Sequence, residues 1–169
     1  MILIFDTIKN DDASFRFRKS IERILKNDYK YVIKRIYSND LNLDYSQYSK
    51  IIISGSELSA STQHVEQQEV FSVINEFIFA GKPVLGICLG MQLFAKSSSE
   101  HGDCIGLGWL NSDVRKLDVP GGLKVPHVGW NNITYPADHW LFQGLPKHEA
   151  NFYFVHSFEM LCHEDSELL

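Results

Sequence analysis

The sequence predicts one doubly wound α/β domain, a mostly parallel sheet with helices on both faces in three layers, α/β/α. Three observations predict it. Apolar runs of strand length alternate with segments whose apolar residues recur at helical spacing. The runs are nearly continuous rather than alternating, the pattern of strands covered on both faces. The chain has 169 residues, 44% of them hydrophobic, enough for one core and too few for two comfortable ones.

Each element has its own signal. Ile2 to Phe5 is a short apolar run that meets Asp6, a buried strand with a polar residue at its end. Phe17, Ile21, Ile24 and Leu25 then share one helical face, with charged residues between them. Tyr29 to Tyr37 is rich in Val, Ile and Tyr, which favour a strand. Ile51, Ile52 and Ile53 form the next strand, closed by Ser54-Gly55-Ser56. Val70, Val73, Ile74, Phe77 and Ile78 repeat the helical spacing, and Gly81 stands where a helix is expected to stop. Pro83 to Ile87 is the following strand, and Leu89 to Lys96 the helix after it. Beyond about Gly106 the character changes to short strand-like stretches, Asp113 to Leu117 and Asn151 to Val155, set between Gly and Pro turns. There is no internal repeat, low-complexity segment or linker, so residues 1–169 are read as a single domain.

Composition narrows the function. A net charge of -5 gives no reason to expect a phosphate backbone as partner, so no nucleic acid is expected. Three cysteines, Cys88, Cys104 and Cys162, without a C-x-x-C spacing indicate neither a disulfide framework nor a zinc knuckle, and no metal or cofactor is expected. The apolar start is too short for a signal peptide, and no run nears the roughly 18 apolar residues that span a bilayer. The expected compartment is the cytoplasm, where thiols stay reduced.

The chemistry concentrates at Gly86-Ile87-Cys88-Leu89-Gly90. A cysteine between two glycines, where a buried strand turns into a helix, is the thiol form of a nucleophile elbow. The sharp turn holds the side chain at the carboxyl edge of the sheet, and the glycines remove Cβ atoms that would clash at the bend. The helix N-terminus favours thiolate. The Leu89 amide, lacking an intrahelical partner, can donate to an oxyanion. Gln92, one turn after Cys88, can hold a substrate by its carboxamide, although by itself it reads equally as a surface glutamine. Ser54-Gly55-Ser56 should reach the same sheet edge, where its amides can complete an oxyanion hole or form a plain turn. A thiol nucleophile needs a base, and His127, His156 and His163 are the candidates in the second half, none fixed by spacing. His163-Glu164-Asp165 also reads as a solvated tail.

Gly86 to Phe94, GICLGMQLF, resembles the nucleophile segment of class I glutamine amidotransferases. Lys124 to Asn131 (KVPHVGWN), Phe152 to Ser157 (FYFVHS) and Glu100 to Gly108 (EHGDCIGLG) resemble the glutaminase subunit of imidazole glycerol phosphate synthase, an enzyme of histidine biosynthesis. The resemblance runs from Ile51 to Phe158 and implies a flavodoxin-like sandwich. It implies that Cys88 attacks the side-chain amide of L-glutamine, releases ammonia and forms a glutamyl thioester. It implies that Gln92, Ser157 and Phe158 hold the glutamine, and that Gly55, Ser56 and Leu89 stabilise the oxyanion. The ammonia would pass to a (β/α)8-barrel cyclase subunit in a heterodimer, with His127, Trp130 and Asn131 as interface candidates. Read bottom-up, a tryptophan on a glycine-rich loop is equally a core anchor.

The chain departs from that family at three points. The usual tyrosine-glycine-x-glycine-asparagine turn after the first aspartate is replaced by Thr7-Ile8-Lys9. The usual proline-glycine oxyanion loop is replaced by Ser54-Gly55-Ser56-Glu57. The family's base and orienting acid belong to a later His-Pro-Glu segment, and no His-x-Glu follows Cys88 here. The domain is therefore expected to lack its C-terminal segment, with a late strand, and by itself to be inactive. Three other readings stay open on the sequence alone: a paralogue feeding a different barrel synthase in sugar or polysaccharide synthesis, a stand-alone cysteine amidohydrolase, and a pseudoenzyme without its base.

Overall fold

The computed structural model describes residues 1–25, 28–36, 44–56, 65–100, 102–121, 123–146 and 149–164. Tyr37, Glu57, His101 and Asp165 lie outside them. The first half builds a parallel sheet from β1 (Ile2–Asp6), β2 (Tyr31–Arg35), β3 (Lys50–Ile53) and β4 (Val84–Gly86) in the order β2-β1-β3-β4. Every neighbouring pair is parallel, with Leu3 opposite Val32 and Ile51, and Ile53 opposite Gly86. Two helices connect these strands, α1 (Asp11–Leu25) and α2 (Val65–Phe79). The alternation of strand and helix is as read, with the strands trimmed: β2 begins at Tyr31 rather than Tyr29, and β4 excludes Pro83 and Ile87.

Side chains alternate across a strand, so Leu3, Phe5, Ile51 and Ile53 point to one face. There they join Val70, Val73, Ile74 and Phe77 of α2 in a single buried cluster. Each such side chain contributes about 1.5–3 kcal/mol by leaving water. Gly81 ends the helical segment with φ +67, and Lys82 N–H donates to the Phe77 carbonyl at 2.9 Å, satisfying a terminal carbonyl. The opposite face carries Ile4 and Asp6, both fully buried, and α1 lies over them: Ser14 Oγ donates to Asp6 Oδ2 at 2.6 Å. Asn10 Oδ1 accepts the Ala13 N–H at 2.9 Å and caps the start of α1.

The buried stripe of α1 differs from the expected one. It is centred on Ser14, with Phe17, Ile21 and Leu25 half-buried, while Ile24 is 70% exposed. Ser14 is fixed by the buried carboxylate of Asp6, which rotates the helix so that Ile24 leaves the sheet. Towards β4 this face opens: Ile52 is half-buried, and Leu85 and Ile87 are exposed.

After β4 comes α3 (Leu89–Gln92), one turn long. The helix expected to reach Lys96 gives way after Gln92 to tighter turns, with Phe94 N–H donating to Met91 and Ala95 N–H to Gln92 at 3.0 and 3.2 Å, and the Lys96 N–H then donates to the Ser112 carbonyl at 2.8 Å as the chain enters a second sheet. The serines at 97–99 favour that exit, since their hydroxyls compete for nearby backbone. The second sheet is mixed: β5 (Ser97–Ser98), β6 (Cys104–Ile105), β7 (Ser112–Lys116) and β10 (Phe158–Cys162), ordered β10-β7-β5-β6. A hairpin of β8 (His127–Thr134) and β9 (Glu149–His156) completes the described strands. The expected strands near 113–117 and 151–155 are β7 and β9, and β9 is longer than the apolar run suggested. No helix among the described residues is long and apolar enough to cross a membrane.

Candidate active site

Cys88 sits at the carboxyl edge of the parallel sheet, between β4 and α3, exposed to solvent. Its backbone, φ 54 and ψ -115, makes it the one non-glycine residue with positive φ among those described. Such a conformation costs on the order of 1–3 kcal/mol and persists only where the surroundings impose it. Here they do. A Cβ on Gly86 would stand 2.5 Å from the Gly90 carbonyl oxygen, and a Cβ on Gly90 would stand 2.5 Å from that of Ile53. The two glycines let strand, turn and helix interpenetrate, and the thiol is pushed outward. Gly55 also packs close, its hypothetical Cβ lying 2.9 Å from Cys88 Cβ and 3.6 Å from Sγ.

The amides of Met91 and Gln92 donate to the Cys88 carbonyl at 3.0 and 3.1 Å, and that of Gly90 to Ile87 at 3.0 Å. The Leu89 N–H, at the head of the turn, has no partner among the described residues. With α3 only one turn long, the elbow offers this terminal amide rather than the dipole of an extended helix.

Two cavities meet at Cys88. One, of about 300 Å³, is lined by Ser56, Cys88, Gln92, Glu100, Pro126, Val155, His156, Ser157 and Phe158. It gathers into one place five residues singled out in the sequence besides Cys88 itself: Ser56, Gln92, His156, Ser157 and Phe158. Glu100 joins them without a sequence signal of its own. It lies on the turn after β5, where only the fold brings it to the thiol. The other cavity, of about 460 Å³, is apolar: Ile87, Met91, Phe152, Phe154 and Met160 are among its walls.

The three candidate bases separate. His163 Nε2 bonds Asp113 Oδ2 at 2.7 Å on the second sheet and lines neither cavity. His127 also lines neither; its Nδ1 lies 3.0 Å from His156 Nε2. His156 lines both, but its Nδ1 is 2.9 Å from the Phe158 carbonyl oxygen. That oxygen only accepts, so His156 Nδ1 carries the proton, and in the neutral ring Nε2 accepts from His127. Both ring nitrogens of His156 are thus engaged within the wall of the site.

Trp130 lies on strand β8 rather than on a loop, 73% exposed, packed edge-on against Tyr153 with centroids 5.6 Å apart. It is not a core anchor. Asn131 beside it is exposed, its Oδ1 accepting the Asn132 N–H at 2.9 Å.

A family model described as glutamine amidotransferase class-I matches residues 12–166. The chain belongs to the class-I glutamine amidotransferase family. Among relatives, the imidazole glycerol phosphate synthase subunit HisH of Sulfurimonas denitrificans is 39% identical over 127 residues, covering 73% of this chain and 60% of that protein. The corresponding protein of Aquifex aeolicus is 37% identical over 136 residues, 79% of this chain and 63% of that protein. The amidotransferase chain thus spans about three fifths of the length of these relatives. Among solved structures, a putative GMP synthase component from Thermoplasma acidophilum superposes with a TM-score of 0.62 at 19% identity, over 97% of this chain and 68% of that one. A glutamine amido transferase from Methylobacillus flagellatus gives 0.57 at 16% identity, over 96% and 57%. These two likenesses establish the fold, a flavodoxin-like α/β/α sandwich.

Proposed function

We propose that this amidotransferase chain is the glutaminase part of an imidazole glycerol phosphate synthase, which hydrolyses L-glutamine and hands the ammonia to a (β/α)8-barrel cyclase partner. The observation that carries the reading is the strained, exposed Cys88 opening onto a cavity shared with Gln92, Glu100 and Ser157. The identities to HisH subunits favour this synthase over a paralogue in sugar or polysaccharide synthesis.

The chemistry follows from the walls. The Cys88 thiolate adds to the δ-carbon of glutamine, and the carbonyl π pair moves onto oxygen. The Gly55, Ser56 and Leu89 amides lie at the edge where that oxyanion develops and supply donors to it. Collapse of the tetrahedral intermediate breaks the C–N bond. The leaving nitrogen takes a proton and departs as ammonia, and water then cleaves the thioester to glutamate. Gln92 and the Ser157–Phe158 backbone orient the substrate, and the Glu100 carboxylate suits its α-ammonium group. His156, engaged at both nitrogens, orders the wall; the resemblance assigns proton transfer to a His-Pro-Glu segment that has no counterpart in this sequence. Exposed Trp130 with His127 and Asn131 on β8 forms the surface for the barrel partner, and a cytoplasmic heterodimer is the expected assembly.

The test is covalent. A glutamine-mimicking chloroketone added to the full-length protein is expected to alkylate Cys88 and spare Cys104 and Cys162, with protection by glutamine. Cys88→Ser should abolish glutamine hydrolysis and keep glutamine binding. Label mapping to another cysteine, or turnover by Cys88→Ser, removes the nucleophile assignment.

A further inference from the structure

Thr7, after β1, and Ser54-Gly55, after β3, touch one another. Both side chains are buried, Thr7 at 2% and Ser54 at 1% exposure. Thr7 N–H donates to Ser54 Oγ at 3.0 Å, and the two hydroxyl oxygens are 3.0 Å apart. Both hydroxyls reach the Gly55 carbonyl oxygen, Thr7 Oγ1 at 3.0 Å and Ser54 Oγ at 3.1 Å. Thr7 Oγ1 is also 3.2 Å from the Ser54 carbonyl oxygen. Two hydroxyl protons thus serve the two lone pairs of the Gly55 oxygen, with the Ser54 oxygen as a weaker second acceptor for Thr7.

The consequence lies in peptide geometry. A trans peptide points its N–H opposite to its C=O. The Ser54–Gly55 and Gly55–Ser56 peptides both turn their oxygens towards Thr7, so the Gly55 and Ser56 N–H groups point the other way. That is the side on which Gly55 packs against Cys88 and Ser56 lines the polar cavity. Turning the Gly55–Ser56 peptide over would take its oxygen from both buried hydroxyls and leave them poorly satisfied.

We propose that Thr7 is a positioning residue: with Ser54 it locks the Gly55–Ser56 segment in the orientation that presents its amides to the oxyanion formed on Cys88. Thr7 touches no substrate and acts only through the backbone it holds. The inference rests on the reading of Cys88 as the nucleophile.

The test compares kcat with ground-state binding in the full-length protein and its synthase partner. Thr7→Val keeps shape and removes the hydroxyl; kcat for glutamine should fall about tenfold to a hundredfold, the scale of a slightly misplaced donor. Glutamine Kd, measured in a Cys88→Ala background with and without Thr7→Val, should agree within about twofold, because the amides act on the transition state. Thr7→Ser, which retains the hydroxyl, should recover most of kcat. Should Thr7→Val not fold, Ser54→Ala removes the second donor and carries the same expectation. A wild-type kcat in Thr7→Val or Ser54→Ala, or a Thr7→Ser variant as slow as Thr7→Val, overturns the proposal. Glutamine turnover by Cys88→Ala overturns instead the reading on which it rests.

Discussion

Gly90→Ala probes the close contact between α3 and β3 at the elbow. The added methyl would meet the Ile53 carbonyl oxygen at 2.5 Å, the Ile53 carbonyl carbon at 3.0 Å and Ile53 Cβ at 2.9 Å. Ordinary contact begins at 3.4 Å, so α3 and β3 must separate by about 0.9 Å. Neither gives easily. Ile53 is fully buried, and its carbonyl accepts the Ile87 N–H at 3.0 Å, a bond that leads directly into the Cys88 turn. Overpacking of this kind costs about 1–3 kcal/mol. The better helix propensity of alanine returns at most about 1 kcal/mol, and less in a one-turn helix. The net expectation is a loss of about 1–2 kcal/mol, which lowers Tm by roughly 2–8 °C in a domain of this size. A displacement near 1 Å at the nucleophile also slows chloroketone alkylation of Cys88 by up to about 100-fold. Gly121→Ala is the control: its Cβ meets nothing within 4 Å, so Tm should hold within about 2 °C. A Gly90→Ala protein with unchanged Tm and unchanged alkylation would refute the packing argument.

Two further outcomes follow from the same structure. Cys88→Gly should melt above Cys88→Ala, since both lose the thiol but only alanine keeps a Cβ at φ 54; the usual order, alanine above glycine by about 0.5–1 kcal/mol, would show that the turn is not strained. Hydrogen bonds from Ser97 and then His163, with the nearby charges of His163 and Arg115, lower the Asp113 carboxyl to about 2. Its contribution to stability is then complete above the ordinary carboxylate value and fades as pH falls through about 2. Asp113→Asn should therefore melt below wild type at neutral pH, with the gap closing between about pH 4 and 2; a gap constant across that range contradicts the assignment.

The parallel half is legible because its signals are local. Ile51 to Ile53 can only be a buried strand, and the glycines around Cys88 announce a turn whose tightness the contacts at Gly86 and Gly90 bear out. The second half is less so, because tertiary hydrogen bonds decide it. The serines after Lys96 favour leaving the helix, but nothing local foretells that the Lys96 amide will pair with Ser112. Likewise His156 reads as one candidate base among three, whereas its contact with His127 depends on the register of β8 against β9. Helical spacing puts Ile24 in the core because periodicity cannot see Asp6 holding Ser14 and turning the helix.

The candidate site needs both halves, and the structure shows what joins them. The parallel sheet carries Cys88 and Gly55; the walls that hold a substrate, Glu100 and Ser157, come from segments after it. Between the halves runs a seam of backbone bonds. Leu107 N–H donates to Leu93 at 2.9 Å, Trp109 N–H to Phe94 at 3.0 Å, and Gly108 N–H to Ala95 at 3.0 Å. Trp109 stacks on Phe94 at 5.0 Å and sends its indole N–H to Asn75 Oδ1 of α2 at 2.9 Å. Gly106 passes so close that a Cβ would lie 2.1 Å from the Ala95 carbonyl oxygen. This seam begins directly after α3, so the turn that strains Cys88 and the seam that seats the cavity walls are continuous. The strain at the nucleophile is therefore held from two sides, by β3 beneath it and by the second half docked beyond it, and a protein whose two halves fail to dock would lose the cavity and the elbow together.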